Sequence, residues 1–279
     1  MKIKILYRAD YHYASEVGFS PHIFRLFPKP DQSVSSDKIS FETNADADVQ
    51  FRKDIFDNNI AFCFYPKPGL VLEARLEIDL RLNQRNAFHF LVDSSAIDFP
   101  FAYRENEARI LSPYLQQTDK VELPFWNARR QPTLDTLVEL NSAIFKNIRY
   151  ERREEGPARN PAETLALGSG SCRDYAVLMA GALRTHGIAT RLASGYLCEF
   201  GQGEKRAEGA LHAWVEAYLP GAGWIGMDPT NGIFCDHNHI TAATGLSPDD
   251  VSPVSGTYFC DHKVSSIMNA SLELVNNGE

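Results

Sequence analysis

The chain has 279 residues, 44% hydrophobic and 23% charged, which is ordinary globular usage and, at roughly 150 residues per domain, room for about two domains. Lys and Arg number 28 against 36 Asp and Glu, and the net charge of −8 excludes the basic face that broad nucleic-acid binding needs. No window approaches the roughly 18 uninterrupted apolar residues of a membrane span, and Arg8 and Asp10 interrupt the start Met1-Lys2-Ile3-Lys4 before a signal-peptide core forms. The expectation is a cytoplasmic protein with no membrane and no nucleic-acid partner.

The first part of the chain reads as strands. Ile3, Ile5, Tyr7, Ala9, Tyr11 and Tyr13 alternate with polar residues, a period of two. Leu70 to Leu82 is the cleanest run: its even positions are all apolar, while Glu73, Arg75, Glu77, Asp79 and Arg81 fill the odd ones. A helix would scatter those charges, whereas a strand collects them on one face. Shorter runs at Ile60–Tyr65 and Ala87–Val92 continue the pattern between turn signals such as Asp57-Asn58-Asn59 and Pro66-Lys67-Pro68-Gly69. An antiparallel β-sandwich over residues 1–120 is the expectation.

The period changes within residues 112–132, near Pro113 and Pro124, so a second domain is placed at 121–279. Leu134, Leu137, Val138, Ile144, Phe145 and Ile148 recur at helical offsets behind Thr133, a plausible N-cap by residue type. A second helix starts at Cys172 and runs through an uncharged stretch to Leu183, which predicts burial almost all round, with Gly187 as its left-handed stop. Strands follow at Ile188–Leu197, Leu211–Leu219 and Trp224–Met227, with a polar glycine-rich loop at 201–206. The second half is therefore α+β.

Five cysteines at irregular spacing make no disulfide framework, so each is either buried filler or chemistry. Cys172 follows Gly168-Ser169-Gly170-Ser171 into the first turn of the buried helix. The positive end of the helix and its unpaired N–H groups favour a thiolate there and can hold an oxyanion. The small residues before it, Gly170 included, leave room for a substrate carbonyl. His212 shares a strand face with Trp214, Glu216 and Tyr218, a lining suited to a cleft. Asp228 ends an apolar strand before Pro229, where a carboxylate can orient an imidazole on a neighbouring strand. Cys172, His212 and Asp228 are the candidate catalytic residues. Gly170, Tyr175 and Trp214 are the candidate substrate contacts.

These stretches, Gly170-Ser171-Cys172-Arg173-Asp174-Tyr175, Ser194-Gly195-Tyr196, His212-Ala213-Trp214 and Asp228-Pro229-Thr230, together with Tyr11-His12-Tyr13 and Pro100-Phe101-Ala102-Tyr103, resemble the transglutaminase-like superfamily. The resemblance is to its bacterial branch with a β-rich N-terminal region. It implies a papain-like, transglutaminase-like cysteine proteinase fold in the second domain and a Cys172–His212–Asp228 triad. It also implies a peptide or protein substrate, handled by a thiol-dependent amide hydrolase (a cysteine protease or deamidase) or by a cross-linking acyltransferase. A non-catalytic peptide-binding module on the same fold is a third reading. No cofactor and no calcium are implied, and Trp126 receives no role.

Two other clusters carry residue types suited to binding or charge. Cys235, His237 and His239 with Cys260 and His262 carry metal-ligand types, but their spacing fits no standard zinc pattern, and a polar loop is the preferred reading. His239 is read as structural or cleft-lining. Arg149, Arg152 and Arg153, followed by Glu154 and Glu155, read as a self-compensated solvated face, and Asp174 as a complement to the helix dipole.

Overall fold

The alternation at the start of the chain is realised as one long strand, Lys2–Phe19, with Ile3, Ile5, Tyr7 and Ala9 buried and Lys2, Lys4, Leu6 and Arg8 on its other face. These features come from a computed structural model describing residues 1–44, 46–117, 119–153, 156–198, 200 and 206–278. Gly69–Leu82 pairs antiparallel with the first strand, Ile3 opposite Leu80 and Ala9 opposite Ala74, and buries Leu72, Leu76, Ile78, Leu80 and Leu82 on one face as its pattern requires. Leu70 departs from that pattern and is half exposed. Val34–Thr43 flanks this pair on one side and Ser266–Asn276 on the other.

A second antiparallel sheet runs Val254–Ser255, His22–Phe24, Asn59–Phe64, Asp48–Lys53. Phe24 and Cys63 from this sheet share a core with Ile5, Ile78 and Leu80 from the first. Each such fully buried aliphatic side chain contributes on the order of 1.5–3 kcal/mol, so two faces of alternating apolar residues suffice to hold the sandwich.

The second core is built on helices α2 (Thr133–Asn147), α3 (Pro161–Leu167) and α4 (Cys172–Thr185) and a five-stranded antiparallel sheet, and α1 (Glu105–Leu115) lies beside the sheet's strand Thr190–Leu197. The sheet order is Ile233–Phe234, Gly223–Asp228, Ala210–Leu219, Thr190–Leu197, His239–Gly245. Leu137, Leu140 and Ile144 of α2 meet Tyr175, Leu178 and Met179 of α4 and Val215, Ile225 and Met227 of the sheet. α4 is buried nearly all round, as its uncharged run predicts. It stops where expected: Gly187 adopts φ +75°, its N–H reaches the Arg184 carbonyl, and the Ile188 N–H reaches that of Leu183.

The structure corrects four readings. The division at 120/121 is not a spatial one. Ser266–Asn276 returns to pair with the first strand, and Ala87, Phe90, Val92, Phe99 and Phe101 pack on the second core. Ala87–Val92 is not a strand, because the Asn86 side chain and carbonyl capture the N–H groups of Phe88 and His89 in a turn. Thr133 is the first residue of α2, not its cap; its hydroxyl is drawn to the Ala96 carbonyl at 2.6 Å instead. Arg153 is not part of a free solvated face but donates to Asp174 at 2.7 Å, while Glu154 and Glu155 lie outside the described residues. The loop at 201–206 lies outside them too, except for Arg206, which begins a short strand beside Ser266–Asn276.

The two cores adjoin. Tyr196, Cys198, Ile240 and Ala242 of the five-stranded sheet belong to the sandwich core. Asn58 clamps the junction, accepting from the Thr244 N–H and donating to its carbonyl, both at 2.8 Å.

Candidate active site

Cys172 stands at the first position of α4, and the turn before it is fastened by Asp174. One oxygen of that carboxylate accepts from the Ser171 N–H at 2.8 Å and its hydroxyl at 3.0 Å; the other accepts from the Arg159 N–H and the Arg153 guanidinium, each at 2.7 Å. Asp174 is fully buried. Burial alone would raise its pKa, but these donors outweigh that and hold it below the usual carboxylate value. Its role is larger than complementing a dipole: it locks Arg153, Arg159 and Ser171 to the helix start. Gly168 at φ +59° turns the chain into Ser169 and Gly170, which pair in parallel with Arg149 and Tyr150.

His212 lies on Ala210–Leu219, opposite Gly195, and Asp228 closes the adjoining strand Gly223–Asp228. The fold brings the two side chains together: His212 Nε2 donates to Asp228 Oδ2 at 2.8 Å. That leaves Nδ1 as the free ring nitrogen, and the Cys172 thiol lies near enough to His212 to help raise its pKa. The imidazole is 8% exposed, Asp228 is fully buried and Cys172 is partly exposed. Burial disfavours the imidazolium, yet the hydrogen bonds and charges of Asp228 and Cys172 win, and His212 is pushed up to about 9. Asp228 also accepts from the N–H groups of Thr230 and Asn231 and from Asn231 Nδ2. Burial would raise its pKa, but the hydrogen bonds and charges of His212 and His239 drive it far below the usual range.

His239, the first residue of His239–Gly245, donates from Nε2 to the same Asp228 oxygen at 3.2 Å. Its strand approaches because residue 195 has no side chain. A Cβ on Gly195 would sit 1.9 Å from the Ile240 carbonyl oxygen, at the point where the pairing slips by one residue.

The candidate substrate contacts are corrected. Trp214 is 1% exposed, packed on Ala193 and Cys235 with its ring edge-on to His239. Tyr175 is 1% exposed and its phenol donates to the Ile148 carbonyl. Gly170 is buried, and a Cβ there would meet the Asp174 Cβ at 2.8 Å. All three shape the site from behind. Tyr150, which the sequence reading passed over, is 52% exposed, and burial together with the nearby Cys172 thiol raises its phenol. Its place there follows from the parallel pairing with Gly170, for which no local sequence signal exists.

The two Cys/His segments acquire different partners. Cys235 packs behind Trp214, whereas Cys260 lies 3.3 Å from His262 Nδ1, whose Nε2 faces the Ser15 hydroxyl. Among the described residues no three His, Cys, Asp or Glu side chains are arranged to hold a metal ion, and no helix is long and apolar enough to cross a membrane.

Comparison with known proteins agrees with this architecture. Residues 126–229 match the transglutaminase-like superfamily, and residues 3–79 match the bacterial transglutaminase-like N-terminal region. The crystal structure of "a Putative Cysteine Protease from Cytophaga hutchinsonii" superposes over 100% of this chain and 91% of its own, with TM-score 0.74 and 16% identity. An uncharacterised protein of Mycobacterium tuberculosis is 29% identical over 153 residues, 52% of this chain and 48% of that protein. The match thus spans about half the length of this relative. A protein-glutamine gamma-glutamyltransferase of Pseudomonas aeruginosa is 40% identical over 70 residues, 22% of this chain and 10% of that protein.

Proposed function

The chain is a transglutaminase-like protein, a transglutaminase-like core domain joined to a bacterial transglutaminase-like N-terminal region, and from that premise we propose a thiol-dependent amide hydrolase acting on peptides or proteins. The observation that carries the reading is the 2.8 Å bond from His212 to Asp228, beside a cysteine at a helix start. Cys172 Sγ, as thiolate, attacks the amide carbonyl carbon. The negative oxygen that results is held by the Cys172 N–H at the start of α4, where a helix leaves its first donors without an intrahelical acceptor, whereas the Asp174 and Tyr175 N–H groups are engaged by the Ser171 carbonyl. His212, as imidazolium, gives its proton to the leaving nitrogen, and the C–N bond breaks to leave a thioester on Cys172. His212, now neutral, takes a proton from water as the water attacks; the C–S bond breaks and the acid leaves. Asp228 carries no proton in this cycle; it keeps the ring oriented and stabilises its charged form.

Hydrolysis is favoured because Cys172 is partly exposed and Tyr150 beside it is half exposed, so water reaches the acyl sulfur. Amine transfer, in which a lysine amine replaces water, is the second reading. It uses the same three residues, and the short match to the Pseudomonas acyltransferase supports it. The test is a peptide and glutamine-amide panel assayed with and without an added primary amine, using wild type and Cys172→Ser. Amide cleavage independent of the amine, and lost in Cys172→Ser, is the expected result. Amine incorporation in place of cleavage gives the acyltransferase; no turnover of any substrate defeats the enzyme reading.

A further inference from the structure

Asp228 serves two histidines. His212 and His239 both direct Nε2 at the one oxygen Oδ2, at 2.8 and 3.2 Å, and their ring centroids are 6.4 Å apart. The His239 side chain is 1% exposed and is bracketed by carboxylates: beyond its Nδ1, at 3.6 Å, lies Asp236 Oδ1. A neutral imidazole carries one N–H, so it would turn its lone pair toward one of these anions; the imidazolium presents an N–H to each, in a hydrogen bond to Asp228 and across a longer charge contact to Asp236, where Nδ1 has no hydrogen-bond partner. Burial works against that charge, but Asp228 and Asp236 overcome it and raise the His239 pKa. Around the ring stand Asp228 from its strand, Asp236 and His237 from the preceding turn, His212 from the central strand and the uncharged edge of Trp214.

We propose that His239 is a positioning residue that shares the Asp228 carboxylate with His212 and, through its own proton, sets how firmly that carboxylate holds the proton on His212. The inference rests on the hydrolytic reading only for its consequence in turnover, since the coupling itself is a property of the resting protein. When His239 is charged, part of the field of Asp228 is spent on it and a second cation faces His212. When His239 loses its proton, His212 binds its own more tightly. The two rings then titrate as a pair, each responding to both proton losses. Asp236 is the outer end of this line of alternating acid and base, with its side chain 30% exposed.

The test is histidine NMR titration of the full chain, with His239→Gln, which keeps an N–H for Asp228 but carries no charge. His239→Gln is expected to raise the His212 midpoint by about one pH unit and to move the upper limb of the Cys172 alkylation profile with it. Asp236→Asn, whose side chain is partly exposed, is expected to lower the His239 midpoint. In the unsubstituted chain the His212 and His239 signals are expected to show two-step curves with shared midpoints. Independent single-site curves, or a His212 midpoint unmoved by His239→Gln, overturn the proposal. Coupled titration without cleavage of any amide leaves it standing and defeats the hydrolase reading instead; cleavage without coupling does the reverse.

Discussion

Replacing Asp228 by Asn removes the group that keeps His212 charged. In the wild-type protein burial pulls the imidazole below its ordinary 6.5, and Asp228 and the Cys172 thiol lift it to about 9. Without the carboxylate the opposing burial remains and only the Cys172 thiol still lifts the ring, so His212 falls back toward its ordinary 6.5. At pH 8 the protonated fraction drops from roughly nine-tenths to about 3%, and the step in which His212 protonates the leaving nitrogen slows by about 30-fold. The descending limb of kcat/KM moves from about pH 9 down toward 6.5. Stability should follow. A histidine raised on folding stabilises fully below its unfolded value of 6.5 and loses that contribution as pH rises through about 9, a term on the order of 3 kcal/mol. Wild type should therefore lose melting temperature between pH 7 and 10 along a slope that Asp228→Asn lacks. NMR titration of His212, identified by its absence in His212→Ala, measures the midpoint with no substrate needed. A midpoint in Asp228→Asn at or above the wild-type value refutes the reasoning.

Three further outcomes are expected. Iodoacetamide at pH 8 should label Cys172 and Cys260 ahead of Cys63 and Cys198, because burial pushes those two thiols up to about 11 and about 12; peptide mass mapping in which Cys63 or Cys198 labels first contradicts this. Asp174→Ala should destabilise by about 3–5 kcal/mol and slow Cys172 alkylation, measured by urea unfolding and mass spectrometry, since it leaves the Ser171 and Arg159 N–H groups without their acceptor. Because donors hold the Asp174 carboxyl below its ordinary 3.8, its stabilisation is present above that value and fades as pH falls through the lowered one, so the variant should show a shallower acid-unfolding slope. Gly195→Ala should cost about 3 kcal/mol or more, read as a lowered melting temperature, because its Cβ would meet the Ile240 carbonyl.

What could be read from residues alone depended on whether the signal was local. Cys172 is marked by its own neighbours, small residues before it and, soon after it, the uncharged run 175–183 of its helix. His212 and Asp228 are marked by strand alternation and a strand-end turn, and those signals survive into the fold. Alternation assigns a side chain to a face but says nothing about what covers that face. Trp214 shares the His212 face yet is sealed by Ala193 and Cys235, so it supports the site without touching its opening. Helix α1 escaped notice because Pro113 interrupts it and only Leu111 is buried. Ser266–Asn276 escaped because its first six residues are exposed and only Leu272 and Leu274 carry an apolar rhythm. His239 and Tyr150 take their places through pairings between distant segments, which no short window contains.

The partnership of Lys2–Phe19 with Ser266–Asn276 imposes an order of events on synthesis. Lys2–Phe19 leaves the ribosome before its partners, finds Gly69–Leu82, and then presents its other edge unpaired until Ser266–Asn276 emerges. Helices α2 to α4 and the five-stranded sheet all lie between those two moments, so the Cys172–His212–Asp228 centre can assemble while that edge is still open. An open edge with Ile3, Ile5 and Tyr7 beneath it invites pairing with another nascent chain. Slow translation of Ser266–Asn276, or its clipping by a protease, should therefore show itself first as aggregation rather than as damage to the chemistry.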